Sequence, residues 1–247
     1  MEHFWDSSAT IPDGLGFEHY DGVHLFWLGV FALLTASLIF IYKRASENTR
    51  RYMKYTLAAL LIADELFKII GLASHGNYTA GYLPLHLCSI NIFIIAIYAI
   101  RPSKLLGNFL YIICIPAALA ALIFPNWTNM PLSNFMHIHS FTVHILLAAV
   151  PIILTVVGEI KPSLKHLPGC LVILAIAAVV ALTFNLIFDT NFMYLMEAPE
   201  GNPLYWFAQN TPSHLIGYPV MITAIIVVMI SPFEIARRIK NKKTAQS

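Results

Sequence analysis

Residues 168–188 read PGCLVILAIAAVVALTFNLIF, a run without a single charged side chain. As a helix rising 1.5 Å per residue it would be about 30 Å long, the thickness of a bilayer's hydrocarbon core. Six further apolar stretches lie at 22–42, 53–73, 83–100, 104–124, 135–158 and 213–233, bounded by charges or by Pro and Gly clusters. Together they predict an all-α, polytopic membrane helix bundle with seven transmembrane helices. The bundle forms one domain over 1–247, with a short acidic tail at 1–21 and a basic tail at 234–247. Composition agrees. Of 247 residues 58% are apolar and only 11% charged, with mean hydropathy +0.70, whereas soluble domains carry about 25% charged residues. A soluble enzyme, a nucleic-acid binder and a disordered chain are excluded.

The basic residues set the orientation. Lys43, Arg44, Arg50, Arg51 and Lys54 surround the first connection, Arg101 and Lys104 the third, and Lys161 and Lys165 the fifth. Arg237, Arg238, Lys240, Lys242 and Lys243 follow the last span. The alternate connections and the N-terminal tail hold no Lys or Arg, and the tail carries Glu2, Asp6, Asp13, Glu18 and Asp21 instead. Fourteen of the 15 basic residues fit this pattern, and the fifteenth, Lys68, lies well inside a span. The positive-inside rule then places the N-terminus outside and the C-terminus in the cytoplasm of a multi-pass cell-membrane protein. The longest connection, 189–212, falls outside. Its Tyr194, Tyr205, Trp206 and Phe207 suit an interfacial aromatic belt, with a lid over an outward-facing site as the alternative.

Strongly polar side chains inside a bilayer are costly, so they mark candidate sites. Helix direction puts His86, Cys88 and Asn91, then His137, His139 and His144, then Asn185 and His214, in the same outer slab as Asp64, Glu65 and Lys68. The inner halves of these helices are nearly all aliphatic. His137 and His144 are seven apart and share a helix face, as do Cys88 and Asn91, whereas His139 is turned about 200° from His137. A base for Cys88 is therefore expected from another helix, His144 or His137. Asp64 and Lys68, spaced i,i+4, are expected to neutralise each other. Pro84 suits the first turn of its helix, which sets Cys88 about one turn in. Cys114 and Cys170 read as small apolar fillers. No HExxH, GxSxG or Walker motif occurs, the last span has no Lys for a retinal Schiff base, and neither a metal nor a cofactor is expected.

The segment GYLPLHLCSINIF, 81–93, resembles the bacterial YwaF-like integral membrane proteins, which carry a similar Leu-Pro-x-His-x-Cys at a helix start. HIHSFTVHILLAAVPIIL, 137–154, and FNLIFDTNFMYL, 184–195, look like later segments of that family. The resemblance extends to a eukaryotic transmembrane acyltransferase of ether-phospholipid remodelling with a Cys nucleophile, and more distantly to hydrolases of branched fatty-acid esters. It implies a lipid acyltransferase or acyl hydrolase acting on membrane lipids, with Cys88 as nucleophile and His144, or His137, as general base. Asn91 or Asn185 would serve the oxyanion, with His86 and His214 in support. The rival expectation is a proton-coupled carrier or channel built on Asp64, Glu65, Lys68 and the histidines. A third is a scaffold in which the polar groups hold helices together.

Overall fold

In the computed structural model the described residues are 3–7, 10–12 and 14–244, with side chains described up to 235. Glu2, Asp13 and the side chains of the basic tail, Arg237 to Lys243, lie outside them. The chain is helical throughout: α1 Gly22–Arg44, α2 Glu47–Ser74, α3 Leu87–Ile100, α4 Lys104–Phe109, α5 Ile115–Ile123, α6 Phe135–Val156, α7 Leu167–Phe188, α8 Pro203–Asn210 and α9 Gly217–Thr244. A π-helical turn, Leu110–Cys114, joins α4 and α5 into one rod. Among the described residues there is no strand.

Among the described residues five helical segments are long and apolar enough to cross a membrane: Gly22–Arg44, Lys104–Ile123, Phe135–Val156, Leu164–Phe188 and His214–Ile235. The expected second and third spans exist as α2 and α3 but differ in kind. The first is laden with charge and the second has only 14 residues. α2 starts at Glu47, ahead of the apolar run, because the Ser46 hydroxyl caps it by accepting from the Thr49 amide. α3 starts late. Its N-cap is His86, so Pro84 lies before the helix and Cys88 sits within the first turn, beside amides that have no helical partner.

Burial separates core from rim. The α4–α5 rod and α6 are 61% buried, whereas α1, α7 and α9 are only 11% buried and turn aliphatic side chains such as Leu33, Ile176 and Val228 outward. α6 is the hub, packed against α1, α2, α3 and α5. The end at which α1 begins is taken as the upper end. There the tail is no loose appendage. The Phe135 amide donates to the Phe4 carbonyl at 2.8 Å, and Asn134 Nδ2 donates to the His3 and Asp6 carbonyls at 2.7 and 3.0 Å. The outer edge of the Trp5 ring abuts Gly71 of α2, where a Cβ would meet it at 1.9 Å.

The lower end has its own latch. The buried Tyr42 hydroxyl donates to Glu159 Oε1 at 2.7 Å, and Lys54 Nζ donates to Glu159 Oε2 at 2.7 Å, joining α1, α2 and the end of α6. Removing Glu159 strands the Tyr42 hydroxyl in an apolar setting, at a cost of about 1–3 kcal/mol. Glu159→Ala should lower the thermal midpoint in detergent by several degrees, and Tyr42→Phe combined with it should recover part of the loss.

Candidate functional site

A cavity of about 410 Å³ opens near the upper end between α2, α3, α5, α6 and α9. Its polar wall is Glu65 and Lys68 of α2, His86 to Asn91 at the start of α3, and His139, Ser140 and His144 of α6. Its apolar wall is the small-residue face Ala117, Ala118, Ala120 and Ala121 of α5, with Leu147 and Met221. The connection after α7 closes the top with Met193, Tyr194 and Leu204; of the four aromatic residues expected at the interface, Tyr194 lines the cavity and Trp206 is exposed. A more polar depression of about 470 Å³ shares His86, Asn126 and Tyr194 with the cavity.

Hydrogen bonds decide what each histidine can do. His144 Nδ1 donates to the Ser140 carbonyl at 2.6 Å, and its ring stacks on Trp127 with centroids 5.2 Å apart. In the neutral ring that leaves Nε2 as the basic nitrogen. His86 is the opposite tautomer. Its Nδ1 accepts from the Met193 amide at 3.3 Å, so Nε2 carries the proton and is a donor. His137 has no free nitrogen. Nδ1 donates to the Met130 carbonyl at 3.1 Å and Nε2 accepts from Trp27 Nε1 at 2.9 Å. It is fully buried among Phe17, Trp27 and Phe141, away from the cavity, although it shares a helix face with His144.

The charges pair differently from the sequence expectation. Lys68 Nζ donates to Glu65 Oε1 at 2.6 Å, one residue closer along the helix than Asp64. Asp64 instead accepts from His139 Nδ1 at 2.6 Å, across to α6. The turn of His139 away from His137 is what carries it to this wall. The connection after α7 is tied down at Phe192 to Tyr194. Asn185 accepts the Phe192 amide at 2.7 Å and donates to the Phe192 carbonyl at 3.1 Å, and His214 Nε2 donates to the Tyr194 carbonyl at 3.0 Å. The Tyr218 hydroxyl donates to the Met193 and Tyr194 carbonyls. These clamps hold Met193 and Tyr194 at φ of 56° and 53°, a left-handed strain that needs outside support. Burial pushes the Tyr194 phenol up to about 12, so it stays protonated at neutral pH, with Asn126 Nδ2 donating to its oxygen.

The structure therefore brings Cys88, Asn91, His86, His144, Glu65 and Lys68 to one cavity, and sets His137, Asn185 and His214 to positioning work around it. Trp127, Tyr194 and Tyr218 join the wall without having been read as site residues. A tryptophan in the Asn- and Pro-rich connection before the histidine helix was the available signal. Among the described residues the buried side-chain atoms without a partner are Thr35 Oγ1, on α1, and Glu65 Oε2, Asn91 Oδ1 and Trp127 Nε1, the last three on cavity residues. Among the described residues no group of three metal-ligating side chains converges.

The sequence profile of the TMEM164 family, a family of transmembrane proteins, matches residues 16–230. The chain belongs to the TMEM164 family. The matched range takes in every cavity residue named above. No curated protein matches the chain, nor does any solved structure.

His137 separates structure from chemistry. His137→Ala should cost about 1–3 kcal/mol through the stranded Trp27 N–H and Met130 carbonyl. Its melting midpoint should fall, while activity per folded molecule stays within about twofold. His144→Ala should do the reverse.

Proposed function

We propose that this TMEM164-family chain is a membrane-embedded acyl-transfer enzyme that forms a thioester on Cys88. The observation that carries the reading is the shared cavity. A thiol at a helix start faces the same space as an imidazole whose hydrogen bonds leave Nε2 basic. The YwaF-like resemblance points the same way, toward a lipid acyltransferase or acyl hydrolase.

The chemistry follows from these groups. His144 Nε2 takes the Cys88 proton, and the thiolate attacks the ester carbonyl of a membrane lipid. The carbonyl oxygen gathers negative charge and needs donors already in place. His86 Nε2–H supplies one and Trp127 Nε1–H, buried without a partner, supplies another. Asn185, expected in this role, is held by Phe192 and Thr190. The tetrahedral adduct collapses, the alcohol leaves with the proton from His144, and the acyl group stays on sulfur. The alanine face of α5 gives the acyl chain a groove without bulky side chains.

Seven spans with the N-terminus outside suit this reading, because the cavity then opens in the outer half of a cell membrane, where lipid enters sideways. The rod lengths permit it if the charged α2 and short α3 cross inside the bundle. The alternative, a proton-coupled carrier, draws on Asp64, Glu65, Lys68 and the histidines. Of these, Lys68 is paired with Glu65 and Asp64 with His139.

Incubating the full chain in nanodiscs of mixed phospholipids should add a fatty-acyl mass, removed by hydroxylamine and absent in Cys88→Ala. An unmodified parent chain, with proton-coupled uptake in proteoliposomes, would favour the carrier. A tag at the N-terminus should be cut by external protease on intact cells, and a tag at the C-terminus should be protected.

A further inference from the structure

The thioester chemistry of Cys88, His144 and His86 does not use the third imidazole in the cavity. His139 is 7% exposed, and its Nδ1 donates to Asp64 Oδ2 at 2.6 Å. In the neutral ring Nε2 is then a lone-pair acceptor. It faces Glu65 Oε2 at 3.9 Å. That oxygen belongs to a side chain 3% exposed and has no hydrogen-bond partner, while Oε1 of the same carboxylate is held by Lys68 at 2.6 Å. Two acceptors cannot bond each other, and Glu65 Oε2 is left without a donor.

One molecule satisfies both. A water placed about 2.8 Å from each acceptor spans them at roughly a right angle, close to its own H–O–H geometry. A buried water needs at least two polar partners of this kind. An alcohol, with one O–H, would leave one acceptor bare, and an ammonium group would meet the Lys68 charge beside it. We propose that Glu65 Oε2 and His139 Nε2 seat a hydrolytic water, that Asp64 and His139 form its base dyad, and that the enzyme is therefore an acyl hydrolase. The proposal rests on the thioester reading above.

The step balances. The water oxygen attacks the thioester carbonyl, a C–O bond forms, and one proton passes to His139 Nε2. Asp64 stabilises the imidazolium as the carboxylate of a triad does. The C–S bond breaks, the fatty acid leaves with the second proton, and His139 returns its proton to the Cys88 thiolate. The two histidines thus divide the work, His144 for loading the thiol and His139 for unloading it.

Single-turnover loading of the full chain in phospholipid nanodiscs, followed by intact mass, separates the two halves. His139→Gln should load Cys88 at the parent rate and lose the acyl mass about 100-fold more slowly. Asp64→Asn, at a partly exposed position, should slow unloading about tenfold and serves if His139→Gln fails to fold. Imidazole should speed unloading of His139→Ala, which a merely structural role would not allow. In H₂¹⁸O the released fatty acid should carry one heavy oxygen. Unloading at the parent rate in both variants, or passage of the acyl group to an added lysolipid without ¹⁸O-labelled acid, overturns the water seat and leaves the thioester intact. A parent chain that never acquires an acyl mass overturns both.

Discussion

A polar atom buried in an apolar bundle must find a partner, because each one left alone costs a few kcal/mol of desolvation. That demand organises this protein. The two ends of the bundle are fastened by it: Tyr42, Lys54 and Glu159 below, and Asn134 with the N-terminal segment above. The same demand explains why Lys68 lies on Glu65 and why Asp64 reaches across to His139. Among the described residues it is unmet at Thr35 of α1 and at Glu65, Asn91 and Trp127, and the last three line one cavity. Three of the four open atoms thus mark the same site.

Tautomers carry the division of labour. The four histidines near the cavity differ little in sequence context, yet their partners make one a donor, two bases and one a structural pin. A carbonyl on Nδ1 leaves His144 with a basic Nε2, and a carboxylate does the same for His139. A backbone amide on Nδ1 makes His86 a donor. Two partners at once leave His137 with nothing to offer. Each assignment follows from one hydrogen bond and the fixed proton count of a neutral ring.

The connection after α7 shows how a strained segment is kept. Met193 and Tyr194 take positive φ while His86, His214 and Tyr218 grip their backbone and Asn185 holds the adjacent Phe192. The segment therefore reports on the packing of α3, α7 and α9 at once. It roofs the cavity with Met193 and Tyr194, and α8 adds Leu204.

Hydropathy alone located the rods, since an uncharged run of some 20 residues has few ways to fold, and each of the seven expected stretches became a helix or a helical rod. Membership of one polar slab was also legible, because depth along a helix follows from counting residues. Angle and partnership were not. Helical phase grouped His137 with His144, but the cavity faces a line between His139 and His144, a rotation fixed only when α6 packs on α1 and α2. The i,i+4 rule paired Asp64 with Lys68, but a third candidate on another helix took Asp64. Local sequence determines which groups are buried at what depth. Which of them meet depends on contacts between residues as much as 131 positions apart, and only the folded bundle decides those.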